Sequence, residues 1–243
     1  ASLVRNVNPF DLIGTEMKKI LSLVLMLVLI VAVAAGCSSN SSTPTDPNTA
    51  KEFKLGDLSD SKPIVVNKEK KEVQYLAQVN GKYFTESTRH GVVFKDGSNG
   101  EKAVLRGLAN QIDFYNALIE IGAKPGNNIS LDDMKLTEKS VEGSKFNVFV
   151  TWEGLGKEIP FSDILKASEK RPMDVRFGGN LENATNLKTG CILCLDSCAV
   201  GITSDAAFKA NEITNQKQVT ITGNGDILPQ DGTKLAVIFR LAE

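Results

Sequence analysis

The chain has 243 residues, 42% of them hydrophobic, with a formal net charge of −1 and an isoelectric point near 6.0. That is enough apolar material for a sizeable core, and it excludes a disordered or fibrous polypeptide. Near-neutral charge leaves no basic field to attract a polyanion, so nucleic acid is not an expected partner.

Residues 1 to 16 fit no export pattern and read as sequence upstream of the natural start, set aside from fold reasoning. Met17-Lys18-Lys19 is a short basic segment. Ile20 to Ala35 is an apolar run broken only by Ser22, so residues 17–36 have the layout of a signal peptide. The run ends Val33-Ala34-Ala35-Gly36-Cys37. Small residues before a cysteine resemble the bacterial lipobox, which implies that Cys37 is lipidated and becomes the mature N-terminus. A single transmembrane helix is the competing reading, but the run falls short of the roughly 17 residues needed to span a bilayer. Either reading places the remaining chain outside the cytoplasm, tethered to the cell membrane. In a host with two membranes, Ser38 rather than aspartate after the cysteine points to the outer one. Residues 37–61 read as a flexible tether: Ser38 to Ala50 is polar, holds two prolines and has no aromatic side chain to bury.

Residues 62–243 read as a single globular domain. Pro63 to Asn67 and Glu72 to Val79 are β-branched and aromatic runs predicted to be strands, with Asn80-Gly81 as the turn that follows. Gly91 to Lys95 is predicted as a third. Asn110 can cap a helix, Asp113 suits its first turn, and Phe114, Ala117, Leu118 and Ile121 recur at helical spacing until Gly122 and Pro125 stop it. Phe146, Val148, Val150 and Trp152 alternate as one face of a strand. A short helix is expected near Pro160 to Ala167. Met173, Val175 and Phe177 alternate again, Val219 and Ile221 begin another strand, and Lys234 to Leu241 is apolar on both faces, the pattern of a central strand. The expected class is α+β: a β-rich domain with one main helix plus short helices.

Chemistry concentrates in Thr189 to Ser204, which carries Cys191, Cys194 and Cys198, every cysteine except Cys37. Three readings stand open. The spacing Cys191-x2-Cys194-x3-Cys198 matches the last three cysteines of the bacterial ferredoxin run C-x2-C-x2-C-x3-C-P, which points to an iron–sulfur cluster. Against it, Lys188 stands where the first cysteine belongs and Ala199 replaces the proline. Zinc accepts a Cys3His set, and the chain has one histidine, His90. Outside the cytoplasm thiols also pair, so a disulfide that staples the loop is the third. No catalytic residue is identified: there is no GxSxG, no HExxH and a single histidine to serve as base, which disfavours an enzyme.

Thr88-Arg89-His90-Gly91-Val92-Val93-Phe94, Ser98 to Ala103, Gly190 to Gly201, and Ile227-Leu228-Pro229 with Asp231-Gly232-Thr233 together resemble the YdjY-domain proteins, over about Lys62 to Leu241. The resemblance implies a ferredoxin-like or iron–sulfur protein with Cys191, Cys194 and Cys198 as its functional residues and His90 within another shared motif. The expected function is an exported, lipid-anchored metal or iron–sulfur binding or redox module, with a redox or surface protein as partner. The alternative is a structural or ligand-binding lipoprotein whose cysteines form a disulfide.

Overall fold

The computed structural model describes residues 54–136, 138–213 and 219–242. The signal segment, the lipobox with Cys37, and residues 38 to 53 of the expected tether lie outside the described residues. In chain order the strands are β1 (Lys54–Leu55), β2 (Leu58–Ser59), β3 (Ile64–Asn67), β4 (Glu72–Val79), β5 (His90–Phe94), β6 (Ala103–Gly107), β7 (Lys145–Trp152), β8 (Ile159–Pro160), β9 (Leu165–Ala167), β10 (Val175–Phe177), β11 (Cys191–Cys194), β12 (Thr203–Asp205), β13 (Ile221–Gly223) and β14 (Lys234–Leu241). Two α-helices accompany them among the described residues, α1 (Gln111–Glu120) and α2 (Leu181–Leu187).

Eight strands close into a barrel in the order β10, β12, β11, β5, β6, β4, β14 and β7, with β7 returning to β10 through Phe146↔Val175 and Lys145↔Arg176. The β5–β6 and β11–β12 pairs are parallel and the other six antiparallel. Closure removes the unpaired edges that an open sheet must protect. This overturns the α+β expectation: the chain is mostly β, and the ferredoxin-like expectation falls with it. The physical reason lies in the strands that complete the ring. β11 and β12 are four and three residues long, too short for a periodic signal, and β12 (Thr203-Ser204-Asp205) is polar yet wholly buried.

Alternation fixes which side chains fill the barrel. Val73, Tyr75, Ala77 and Val79 of β4 and Leu235, Val237 and Phe239 of β14 join the main core, whereas Leu76, Ala236 and Ile238 form a smaller outer cluster with Leu58. Burial on both faces explains why β14 is apolar from Leu235 to Phe239; it lies between β4 and β7. The hairpin β1–β2, which falls in the segment read as tether, supplies Leu58 to that cluster. Helix α1 starts where Asn110 Oδ1 accepts hydrogen bonds from the Ile112 and Asp113 amides, both at 2.9 Å. It sends Phe114 between Tyr75 and Phe239, with ring centroids 5.4 and 4.7 Å away. The helix expected near Pro160 is a single 3-10 turn, Phe161–Ile164, that passes directly into β9.

Candidate metal centre

Cys191 and Cys194 are the first and last residues of β11. In a regular strand, residues three apart point to opposite faces. Here the pairing with β5 is irregular at both steps: Cys191 faces Val93, Leu193 faces Val92, and Cys194 faces His90. The bulge changes the parity. Both thiols therefore enter one small cluster with Cys198, Val93 and Ala103, apart from the main core. The same register delivers His90, whose Nδ1 lies 3.9 Å from Cys191 Sγ. His90 and the Cys191 and Cys194 sulfurs form one group whose ligand atoms lie within 4.8 Å of one another. Cys198, in the loop after β11, is outside that group but contacts Cys194. The three thiols are free and buried.

Cys194 stands between the other two sulfurs and acts as their proton donor. Its hydrogen bond, with help from His90, holds the Cys191 thiol well below the usual range despite burial. The same bond, together with the charge of Arg89, lowers Cys198. Cys194 itself is pushed well above the usual thiol range by its two sulfur neighbours and by burial. The Asn99 side-chain amide approaches Cys191 Sγ at 4.0 Å. The shifts on Cys191 and Cys198 run toward the thiolate, the form in which cysteine ligates a soft metal.

Two residues that the sequence reading did not single out frame the cluster. Arg89 Nε and Nη2 donate to Asp196 Oδ1 at 2.9 and 2.5 Å, an ion pair whose side chains are 16% and 0% exposed. Burial works against the Arg89 charge, but the neighbouring Cys198, Asp196 and Cys194 together hold its pKa above the ordinary value. Burial raises Asp196 even so. The signal was present in sequence: an arginine next to the only histidine, and a single charged residue inside the cysteine run.

The loop carrying Cys198 is held at many points. Asn180 Nδ2 donates to the Cys198 and Gly201 carbonyls at 2.9 and 3.0 Å, and Asn183 Nδ2 to the Ala199 carbonyl at 2.9 Å. The Ile202 amide bonds the Cys191 carbonyl and the Leu195 amide bonds the Arg89 carbonyl. Gly201 permits the closest approach: a Cβ there would stand 2.9 Å from Cys194 Sγ and 2.8 Å from Ser204 Oγ. Half-buried His90 and buried Cys191 and Cys194 thus come together, and the strapped loop holds Cys198 beside Cys194. Cys37 lies outside the described residues.

The YdjY domain profile matches residues 64–240 of the chain. The chain is also 42% identical over 196 residues to a protein from Escherichia coli (strain K12) named "Uncharacterized protein YdjY", covering 81% of this chain and 86% of that relative. No solved structure matches.

Proposed function

The chain belongs to the YdjY-domain family, and for this member we propose an extracytoplasmic, lipid-tethered β-barrel that holds one metal ion on thiolates. Zinc is the ion that its donor set fits, with Cys191, Cys194, Cys198 and His90 as ligands and Cys37 as the lipid anchor. The observation that carries this reading is the convergence of a His90 ring nitrogen with two buried sulfurs at mutual distances of no more than 4.8 Å. Around one ion with Zn–S bonds of about 2.3 Å in a tetrahedron, ligand atoms stand roughly 3.8 Å apart. In a cubane each thiolate serves a different iron, which spreads the sulfurs farther. The compact cluster therefore favours a single shared ion over an iron–sulfur cluster.

Four protein ligands close a zinc site and make it structural, a staple across the β5–β11 seam of the barrel. The barrel would then present this seam, rigidified by metal, on an anchored domain outside the cytoplasm. Metal analysis of the full-length protein tests it. About one zinc per chain, with no inorganic sulfide and no bridged cysteine, is the expected result. Stoichiometric iron and sulfide would replace zinc by a cluster. A homogeneous Cys191–Cys194 or Cys194–Cys198 disulfide with no metal would favour a structural lipoprotein. Radiolabelled palmitate incorporated by the native chain and absent from Cys37→Ala tests the tether.

A further inference from the structure

A cavity of about 570 Å³ opens beside the β9–β13 ribbon, on residues that play no part in the thiol cluster. Its size falls within the range of small-molecule sites. Leu165, Met173, Leu195, Phe208 and Ile221 supply apolar wall, and Asp205 of β12 joins them. Asp205 is 3% exposed. Its Oδ1 accepts the Asp174 and Ala207 amides at 2.9 and 3.0 Å, and its other oxygen accepts no hydrogen bond among the described residues. No lysine, arginine or histidine pairs with it there either. Burial pushes its carboxyl up to about 6, which still leaves it ionised at neutral pH. A desolvated carboxylate beside a cavity, lacking a cation, is a recognition element rather than a packing group.

The other charges at the cavity do not cancel it. Arg171 is engaged by Glu169 and Glu212 at 2.8 and 2.6 Å and lies over the Phe208 ring, its guanidinium carbon 4.4 Å from the ring centre. Lys170 is exposed, so water and salt screen its charge. Asp163, also exposed, adds a further carboxylate to a lining that already holds Asp205 and Glu169. The buried, poorly screened charge decides the preference, and it is negative.

We propose that this cavity binds a small organic ammonium, an amine with an apolar body, whose charged nitrogen pairs with Asp205 while the body lies against Leu195, Met173 and Ile221. The site is independent of the metal, although Leu195 follows Cys194 directly in the chain.

The test titrates 2-phenylethylamine into isotopically labelled full-length protein, with 3-phenylpropionate and 2-phenylethanol as probes of the same shape and different charge. The amine is expected to bind at least tenfold more tightly than either, shifting the amides of Ala167, Leu195 and Ile221, with the same affinity after chelation of metal. Asp205→Asn should lose that tenfold preference while the alcohol is unaffected. Ala167→Trp, at the half-buried wall, should abolish binding of all three, and it decides the matter if Asp205→Asn fails to fold. Equal or tighter binding of the carboxylate, no binding of the amine, amine binding that is lost on chelation, or amine binding that survives Ala167→Trp would overturn the proposal.

Discussion

Cys194 and His90 are paired residues across the antiparallel seam between β11 and β5. This single register explains how a histidine remote in sequence comes to stand beside a cysteine cluster. Its ring nitrogen Nδ1 stands 3.9 Å from Cys191 Sγ, a contact suited to a shared ion. His90→Ala should therefore lower zinc affinity by more than the ~10–100-fold that loss of an outer-shell partner costs. Cys191→Ser and Cys194→Ser should cost more than Cys198→Ser, whose sulfur lies outside the close group. Competition against a chromophoric chelator measures all four. Unchanged affinity in His90→Ala would remove the imidazole from the ligand set.

The Arg89–Asp196 ion pair gives a second expectation. Its carboxylate is fully buried, and the second oxygen, Oδ2, makes no hydrogen bond among the described residues. Removing one partner of such a pair strands the other charge, at a cost of about 3–5 kcal/mol. Arg89→Met should lower urea stability by that amount. Arg89→Met combined with Asp196→Leu should recover most of it, because the stranded charge is then gone. A double variant as unstable as the sum of the two singles would mean that the side chains act separately.

Much of the frame was legible in sequence because it was written in long periodic segments. Glu72–Val79, Lys145–Trp152 and Lys234–Leu241 alternate or run apolar over eight residues each, and Asn110 announces α1. What closes the ring was not legible. The Phe146↔Val175 pairing joins two strands that each alternate correctly whether or not they meet. The buried polar strand Thr203–Asp205 is stabilised by partners, not by hydrophobicity: Thr203 Oγ1 donates to the Ile192 carbonyl at 2.7 Å, and Asp205 accepts two amides. At the site, the cysteines and histidine could be named from composition. Their common face could not, because it depends on a bulge that no spacing rule encodes.

Gly201 supplies a third expectation. The missing side chain leaves room for Cys194 Sγ, Ser204 Oγ and the Thr203 carbonyl, all of which a Cβ would meet at 2.8 to 2.9 Å. Backbone and a buried sulfur cannot give way as a flexible surface chain can. Gly201→Ala should cost about 1–3 kcal/mol through overpacking and should weaken metal binding at the same time by displacing Cys194. Gly225→Ala is the control, since the nearest atoms its Cβ would meet belong to the Phe84 side chain, at 3.2 Å. A stable Gly201→Ala protein with unchanged metal affinity would show that the loop can relax without moving the sulfur.

Asp205 makes stability depend on pH in an unusual direction for an aspartate. Burial raises its pKa in the folded protein from the ordinary 3.8 to about 6, so the folded state holds the proton more tightly than the unfolded chain does. The contribution is therefore fully present below about pH 4 and is lost as pH rises through 6. Complete loss amounts to about 3 kcal/mol, at ~1.4 kcal/mol per pKa unit. Asp205→Asn keeps an oxygen for the Asp174 and Ala207 amides and has no proton to lose. Its stability relative to the native protein should thus increase by about 2 kcal/mol between pH 4.5 and pH 7.5, with most of the change below pH 6. Urea unfolding of both proteins at several pH values measures the gap, and because the other titrating groups are common to both, they largely cancel. A gap that stays constant with pH would mean that the carboxyl is solvated in the folded state. A gap that narrows as pH rises would mean that Asp205 has a cationic partner.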